Sequence, residues 1–515
     1  MIAIKLNDDN FEYDIYSLVK AFYPKEDIIF TRERTKDNVS YFIVINYIEA
    51  KIECKLYRPS GDDAKDTQDS EITEEKVSKT TASEDDDLQL VIEDSIKVDH
   101  SDRKETKNRL KRLLYNCINK VSGKELYWGT LNGIRPIKIP LNMLEEGMSE
   151  DDIRKYMKNT YLACDEKINL SIDIAKRERE LIKDIDAESD YSIYIGIPFC
   201  PTRCLYCSFT SYPYNIWEKR IEEYLASLKR EMEFIASALQ DKNLTTIYIG
   251  GGTPTSLRED YLEKLLSIIE DTLPVKNLRE YNIEAGRPDS ITRGKLQIIK
   301  EHGISRISVN PQSMNAKTLE LIGRRHTPED VIKSFKLARE IGFDNINMDI
   351  IVGLPGEDID DLTYTLDTIA KLKPDSLTVH SLAIKRSARL NTEKELYGDY
   401  KLQNSKEHMD KATSFANALD MKPYYLYRQK NMAGNLENIG FSTSGKEGLY
   451  NVLIMEEKQT IIALGAGAYS KYVTDNGKSV TRSENVKDPG LYIDRLDEMI
   501  DRKRKKLEEI GWLKD

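Results

Sequence analysis

Residues 191–213 read YSIYIGIPFCPTRCLYCSFTSYP and begin with an apolar, β-branched and aromatic run. The run Ser192–Ile197 is typical of a buried strand. Pro198 ends that strand, because proline has no amide hydrogen to donate to a ladder. The stretch therefore predicts a buried strand that leads directly into a loop.

The loop after this strand carries Cys200, Cys204 and Cys207 with the spacing C-x3-C-x2-C. Three thiolates so close in sequence can turn toward one point and hold an iron–sulfur cluster. A zinc site or a four-thiolate cluster needs a fourth ligand, and the loop contains no further cysteine or histidine. We therefore predict a cluster with one open iron, with these cysteines as its metal ligands and as the catalytic centre. Three unrelated thiols are the alternative.

Beyond the loop, strand and helix patterns alternate. The strand candidates are Ser192–Ile197, Thr245–Ile249, Tyr281–Glu284, Arg306–Val309, Ile346–Ile351 and Ser376–Ser381. The helix candidates between them are Trp217–Leu239, Glu259–Leu273, Ser290–His302, Pro328–Ile341 and Ile359–Leu372. Strands separated by helix-length segments predict an α/β fold with parallel pairing, and the six units are fewer than the eight of a closed barrel.

Polar and glycine-rich positions follow these strands where parallel α/β folds place reactive groups. Gly250–Thr255 follows the second strand, Glu284 ends the third, Gln312 follows the fourth and Asp349 lies near the end of the fifth. Glycines let a backbone approach a ligand closely, and buried polar side chains need partners. We expect these positions to surround a bound molecule; salt bridges or helix caps are the alternative for each acidic residue alone.

Several motifs accompany the cysteine spacing. They are YIGIPFC at 194–200, GGGTPT at 250–255, GLPG at 353–356, EAGRPD at 284–289, VHSLAIKR at 379–386 and PYYLYRQKNMAG at 423–434. Together they resemble the radical S-adenosylmethionine (SAM) superfamily and, within it, the HemZ-type branch of the oxygen-independent coproporphyrinogen III oxidases, also called coproporphyrinogen dehydrogenases. The resemblance covers about residue 190 to the C-terminus.

This resemblance implies a partial (β/α)6 barrel of the radical SAM type, a [4Fe-4S] cluster and SAM. It implies oxygen-independent oxidative decarboxylation of coproporphyrinogen III to protoporphyrinogen IX in heme biosynthesis, with a porphyrinogen substrate and an external electron donor of the flavodoxin or ferredoxin type. Matched residue by residue, the implied SAM contacts are Tyr194, Gly251, Gly252, Thr253, Glu284, Gln312, Arg324, Asp349, Ile351 and Ala383. Lys385, Arg386, Arg389 and Arg428 are candidate partners for substrate carboxylates.

The chain departs from this family in two places, and the first of them favours an alternative function. Classical members carry a further cysteine where this chain has Phe209, and residues before about 190 do not resemble those enzymes. A phenylalanine at that position also occurs in related proteins proposed to be heme chaperones, so heme binding and delivery is the alternative. Against it, the chain has no His-Asn-x-x-Tyr-Trp motif, and we interpret His380 and His408 as structural.

Charge and composition divide the chain further. The net charge of the chain is −11, and residues 61–100 alone hold 14 acidic residues against four lysines. The rest of the chain is therefore close to neutral. It lacks the excess of basic residues that is typical of a protein that binds nucleic acid. The predicted segments are 1–60, a small α+β module; 61–100, an acidic flexible insert; 101–189, a helical extension; 190–390, the barrel; and 391–515, a C-terminal mixed α/β extension.

The remaining features indicate a cytoplasmic protein, which we expect to be a monomer. No apolar run approaches the roughly 20 residues of a membrane span, and the first residues show no cleavable signal pattern. Cys54, Cys117 and Cys164 are isolated, and we expect each to be a small buried apolar residue.

Overall fold

The computed structural model describes residues 1–33, 39–59, 88–133, 135–385, 387–393, 400, 402–429 and 436–513. The chain divides into two compact units. One comprises Met1–Pro136 with Asn142–Ile172, and the other comprises Ile137–Leu141 with Asp173–Asp515. Among the described helices, none is both long enough and apolar enough to cross a membrane.

The first unit contains a five-stranded sheet. Its strands are β1 (Ile2–Leu6), β2 (Ile28–Thr31), β3 (Tyr41–Ile48), β4 (Lys51–Pro59) and β5 (Leu88–Lys97), in the order β2-β1-β3-β4-β5. The helices of this part of the chain are α1 (Glu12–Phe22), α2 (Arg103–Ser122), α3 (Lys138–Glu145), α4 (Glu150–Tyr161) and α5 (Asp165–Ile182). Apolar residues of α1 and α2 form one core with the sheet, as Val19, Ile43 and Leu114 illustrate.

The structure corrects one predicted boundary. The prediction that a flexible insert extends to residue 100 is wrong, because Leu88–Lys97 forms β5 and pairs antiparallel with β4. Lys55 of β4 meets Glu93 of β5 with 2.8 Å between Nζ and Oε1, and the Glu93 side chain is 45% exposed, so this acidic residue belongs to a paired strand. The rest of the predicted insert, residues 61–87, lies outside the described residues.

The second unit is built on a long mixed sheet. Its strands are β6 (Asp190–Ile197), β9 (Asn243–Gly251), β10 (Glu280–Gly286), β11 (Arg306–Val309), β12 (Ile346–Val352), β13 (Ser376–Ser381), β14 (Lys422–Tyr427), β15 (Asn438–Ser442), β16 (Thr460–Leu464), β17 (Tyr469–Thr474) and β18 (Ser479–Glu484). Two short strands, β7 (Phe199–Cys200) and β8 (Tyr212–Pro213), pair separately. The strand order is β14-β15-β13-β12-β11-β10-β9-β6-β16-β17-β18.

Helices connect these strands. They are α6 (Tyr214–Trp217), α7 (Ile221–Ala238), α8 (Glu259–Thr272), α9 (Arg293–Glu301), α10 (Ala316–Leu321), α11 (Pro328–Ile341), α12 (Ile359–Ala370), α13 (Arg389–Thr392), α14 (Lys406–Ala418), α15 (Leu449–Glu456), α16 (Pro489–Asp494) and α17 (Leu496–Glu509). Strand β6 and strands β9 to β13 run parallel in chain order, which confirms the predicted strand–helix repeat.

The C-terminal strands extend this sheet on both sides. Strand β15 pairs antiparallel with β13 at one side, whereas β16 pairs parallel with β6 at the other. Within the described residues, the chain after residue 391 therefore adds strands to the sheet of the six parallel strands. The carboxyl ends of those six strands form the edge on which the predicted site residues lie.

Candidate functional site

The cysteine loop begins where β6 ends, and backbone hydrogen bonds hold its start. Strand β7 pairs in parallel with β8, so the two ends of the loop lie side by side. The amide of Gly252 donates to the carbonyl of Ile197 at 2.9 Å, and the amide of Thr253 donates to the carbonyl of Phe199 at 2.8 Å. The glycine-rich turn after β9 therefore fixes the backbone that leads into the cysteines.

The middle of the loop is held by two more segments. The amide of Leu205 donates to the carbonyl of Ile322, and the amide of Leu390 donates to the carbonyl of Leu205, each at 3.0 Å. Within the loop, the amide of Cys207 donates to the carbonyl of Cys204 at 3.2 Å. The positions of the cysteines thus depend on contacts far apart in sequence.

The three cysteines are free thiols in a largely buried setting. Sγ of Cys200 lies 3.5 Å from Oγ1 of Thr253, and Sγ of Cys204 accepts a hydrogen bond from Arg287 at 3.7 Å. Burial raises the pKa of Cys200 to about 12, and burial also raises the pKa of Cys207. Buried thiols are neutral until a bound metal removes their protons, so this donor set suits a soft metal centre.

Among the described residues, no group of three or more His, Cys, Asp or Glu side chains is arranged to hold a single metal ion. An iron–sulfur cluster makes a different demand, because each thiolate binds a different iron of the cluster.

Three glycines make room for the neighbouring strands: Gly250 and Gly251 end β9, and Gly252 follows directly. A Cβ atom on Gly252 would lie 2.6 Å from the carbonyl oxygen of Phe199, and one on Gly250 would lie 2.9 Å from the carboxyl group of Glu284. Gly251 has φ +105°, and its Cβ would lie 3.0 Å from Oη of Tyr194. Only glycine allows this close approach, so the turn brings the predicted positions Gly251, Gly252 and Glu284 together.

Glu284 lies at the end of β10 beside an aromatic stack. Oη of Tyr248 donates to Oε1 of Glu284 at 2.5 Å, and the Tyr248 ring stacks on Tyr450 with centroids 4.6 Å apart. The ring of Tyr194 stacks on Tyr248 at 6.1 Å. Burial, with a further contribution from the Asp349 charge, raises the pKa of Glu284 to about 7. Glu284 can therefore exchange a proton near neutral pH.

Gln312 bridges two strand ends in a strained conformation. Its φ of 66° lies in the left-handed region. Its amide donates to the carbonyl of Asp349, and the amide of Ile351 donates to its carbonyl, each at 2.9 Å. The side chain of Ile351 packs in an apolar cluster with Leu205 of the cysteine loop. Three predicted positions are therefore joined directly.

Unsatisfied polar atoms cluster at this edge. Among the described residues, the buried side-chain atoms without a hydrogen-bond partner include four that lie on or after β11: Ser308 Oγ, Asn310 Oδ1, Gln312 Oε1 and Arg324 Nε. Arg324 is fixed by a 2.5 Å hydrogen bond from Nη1 to the carbonyl of Asn310. Buried polar atoms without partners cost free energy, so these residues fit a polar ligand that satisfies them.

Asp349 belongs to a second polar chain. Its Oδ1 accepts from Asn347 Nδ2 at 2.7 Å, and its Oδ2 lies 3.8 Å from Nε2 of His380. Nδ1 of His380 lies 3.2 Å from Oη of Tyr427. Burial opposes ionisation of Asp349, but the interactions with His380 outweigh it and lower the pKa of Asp349 below its usual value. Ala383 lies two residues after the end of β13, at the same edge.

Three residues at this site were not predicted as functional from the sequence: Tyr248, Arg287 and His380. Tyr248 pairs in register with Tyr194, and a tyrosine at matching positions of adjacent buried strands is a signal that could have identified it. His380, which we interpret as structural rather than as a heme ligand, lies beside Asp349, with 3.8 Å between Nε2 and Oδ2. Arg287 stands in the EAGRPD motif, but its contact with Cys204 depends on the fold. His408 lies 2.8 Å from Oγ of Ser405, a local contact.

The candidate carboxylate partners differ in setting. Nζ of Lys385 lies 5.7 Å from the ring centre of Phe209, and burial lowers the pKa of Lys385. Arg389, at the start of α13, pairs at 2.8 Å with Glu393, which directly follows that helix, and Arg428 is buried. Arg386 lies outside the described residues.

The chain is similar in sequence to a known protein family and to individual known proteins. The sequence profile of the Radical SAM superfamily matches residues 194–369. Over 411 residues, 79% of this chain and 82% of the relative, the chain is 42% identical to the oxygen-independent coproporphyrinogen-III oxidase-like protein HemZ of Bacillus subtilis (strain 168). It is 34% identical over 309 residues to the heme chaperone HemW of the same organism, covering 60% of this chain and 76% of that protein.

A solved structure is also similar. It is the coproporphyrinogen III oxidase (HemN) of Escherichia coli, a radical SAM enzyme, at 22% identity with a TM-score of 0.49. The match covers 62% of this chain and 72% of that one.

Proposed function

Because this chain belongs to the radical SAM superfamily, within the family of the HemZ protein, we propose that it converts coproporphyrinogen III to protoporphyrinogen IX without oxygen. In this reaction each converted propionate side chain would lose a hydrogen atom to the SAM-derived radical, and then CO2 and one electron, to become a vinyl group. That electron would pass to an external one-electron acceptor. The supporting structural observation is that the cysteine loop packs on the glycine turn, where Sγ of Cys200 lies 3.5 Å from Oγ1 of Thr253. The chain that makes this contact is similar to a protein named oxygen-independent coproporphyrinogen-III oxidase-like.

The fold is the radical SAM α/β fold, and its cofactors are a [4Fe-4S] cluster and SAM. We propose that Cys200, Cys204 and Cys207 hold the cluster, which their free, partly or fully buried thiols and their close spacing in sequence fit. When bound, the two cofactors supply a one-electron cleavage of a carbon–sulfur bond and a radical that abstracts hydrogen.

We propose that SAM lies along the carboxyl ends of the six parallel strands. The contacting residues would be Tyr194, Gly251, Gly252, Thr253, Glu284, Gln312, Arg324, Asp349, Ile351 and Ala383. The unsatisfied atoms of Gln312 and Arg324 would gain partners there, and the glycine turn admits a ligand close to the backbone. The role of these residues is to orient the cofactor and to exclude water.

The substrate of the proposed reaction is a tetracarboxylate, which requires cationic partners. Lys385 is the described candidate that lies near the cysteine loop, because it contacts the ring of Phe209 and interacts electrostatically with Cys207. Arg389 is engaged by Glu393, which makes it a weaker candidate. The reducing electron would come from an external donor of the flavodoxin or ferredoxin type.

The proposed function is tested by product analysis. Anaerobically reconstituted protein is incubated with SAM, a reductant and coproporphyrinogen III, and the porphyrins are identified by mass spectrometry after oxidation. We expect the tricarboxylate and protoporphyrin products with the natural chain and none with Cys204→Ala. Cleavage of SAM without any decarboxylated porphyrin would reject the proposal.

Heme binding and delivery is the second candidate. It is favoured by the 34% identity to the heme chaperone HemW and by Phe209 at the position of a further cysteine in classical oxidases. This function predicts stoichiometric heme binding, seen as a Soret band on titration, and transfer to an apo-hemoprotein. A titration without a bound-heme spectrum would remove it.

A further inference from the structure

Arg287 lies directly after β10 and points into the cysteine loop. Its side chain is only 4% exposed. Nε and Nη2 donate to the two carboxylate oxygens of Asp289 at 2.9 and 2.6 Å. This bidentate pair fixes the plane of the guanidinium, because a planar fork on a carboxylate leaves it little freedom to rotate.

The remaining nitrogen of Arg287 contacts the loop. Nη1 donates to the carbonyl and to the hydroxyl of Thr202, at 3.0 and 2.9 Å, and to Sγ of Cys204 at 3.7 Å. Asp289 also lies 3.9 Å from Nδ1 of His326, whose side chain is fully buried. The guanidinium of Arg287 is therefore held by Asp289 on one side. On the other side it contacts the backbone of the cysteine loop and the sulfur of Cys204.

These contacts have two physical consequences. Bonds to Thr202 and Cys204 fix the loop in the absence of metal, which lowers the cost of ordering three ligands when a cluster binds. A positive charge and an N–H donor at a ligand sulfur also favour the more negative, reduced form of a cluster. Burial opposes ionisation of Asp289, but His326 and Arg287 hold its pKa well below the usual range, so the supporting group is an anion.

We propose that Arg287 is a positioning residue for the iron–sulfur cluster, which fixes the Cys204 ligand and raises the reduction potential of the cluster. The inference rests on the proposed ligand set of three cysteines. It concerns the ease of reduction and is independent of which porphyrin the protein handles.

The test is an EPR-monitored redox titration of the reconstituted protein, together with its iron and sulfide content. Arg287→Gln alone leaves the Asp289 charge without its partner, so the main variant is Arg287→Gln with Asp289→Asn, which removes both charges. We expect this folded variant to show a tenfold smaller equilibrium constant for reduction, a shift of about 59 mV to more negative potential for a one-electron couple. The control is Arg293→Gln, an exposed arginine paired with Glu340.

A double variant with the potential of the natural chain would overturn the proposal. If the double variant binds too little iron for a redox titration, the titration is made on Arg287→Lys instead. Lysine keeps the positive charge but cannot bind Asp289, Thr202 and Cys204 together. We expect Arg287→Lys to shift the potential in the same direction by a smaller amount, and an unchanged potential there would also overturn the proposal. If the natural chain binds no cluster, the proposal that the three loop cysteines are the cluster ligands is rejected instead. If the protein turns over no porphyrin, the measured shift in reduction potential still stands, because it does not depend on the substrate.

Discussion

Sγ of Cys200 lies 3.5 Å from Oγ1 of Thr253, a residue 53 positions further along the chain. The contact joins the loop after β6 to the turn after β9, and the amide of Thr253 adds a backbone bond to Phe199. The proposed cluster ligands and the proposed SAM contacts therefore share one surface at the end of two adjacent parallel strands. This shared surface is the arrangement on which the proposed chemistry depends.

Replacing Thr253 by valine tests this contact. Thr253→Val keeps the shape of the side chain but removes its hydroxyl group. A hydrogen bond from a buried hydroxyl contributes about 1 kcal/mol. We expect roughly fivefold weaker binding of SAM by the cluster-loaded protein, measured by equilibrium dialysis. Thr253→Ser retains the hydroxyl and is expected to bind SAM like the natural chain; equal loss in both variants would contradict the account.

The glycine turn gives a prediction about packing. In Gly252→Ala the added methyl would meet the carbonyl oxygen of Phe199 at 2.6 Å, so the backbone must shift. We expect a loss of about 1–3 kcal/mol in the free energy of unfolding in urea and a lower iron content after reconstitution.

The matched control is Gly133→Ala, because a Cβ at Gly133 meets nothing within 4 Å. We expect that variant to remain within about 0.5 kcal/mol of the natural chain. A destabilisation as large as that of Gly252→Ala would show that the turn is not specially constrained.

Glu284 gives a prediction about pH. Burial raises its pKa to about 7 in the folded chain, whereas an unfolded glutamate titrates near ~4.3. The folded state therefore binds more protons than the unfolded state between these values, so this residue makes stability fall as pH rises through that range. Glu284→Gln removes the titrating group and should flatten this fall.

The measurement is the free energy of unfolding of the protein without cofactors at pH 5, 6, 7 and 8. We expect the natural chain to lose stability relative to Glu284→Gln up to about pH 7, with no further relative change above it. A difference between the two proteins that is independent of pH would contradict the raised pKa.

Lys385 gives a prediction about substrate. Its charge lies near the cysteine loop, so Lys385→Met should raise the KM for coproporphyrinogen several-fold while SAM cleavage without substrate is unchanged. Lys336→Met, on an exposed position of α11, is the control. Equal kinetics of the two variants would remove Lys385 from the substrate site.

The sequence predicted the strand–helix repeat closely, because each parallel strand is a short apolar run followed by an amphipathic helix. Arg306–Val309 and Pro328–Ile341 coincide with the predicted bounds. Strand β5 was not predicted, because Glu93 and Asp94 resemble part of a solvated acidic insert. The strand is recognised only by its pairing with β4. Strand β16 was missed because its partner β6 lies far earlier in the chain.

The candidate site was predictable where a continuous motif or the end of a predicted strand marked it. The cysteines and the glycine turn stand in continuous motifs, and the structure brings Cys200 and Thr253 into contact. The polar chain through His380 and Tyr427, and the contact of Arg287 with Cys204, depend on loops that meet only in the folded chain. Contacts between residues so far apart in the chain cannot be predicted from local sequence patterns.

The ligand set is tested most directly by the iron and sulfide content of oxygen-protected protein, with its EPR spectrum after reduction. We expect about four irons and four sulfides per chain, a signal that changes when SAM is added, and loss of both in Cys200→Ala, Cys204→Ala and Cys207→Ala but not in Cys164→Ala. Any of the three loop variants retaining a full cluster with an unchanged response to SAM would contradict the account.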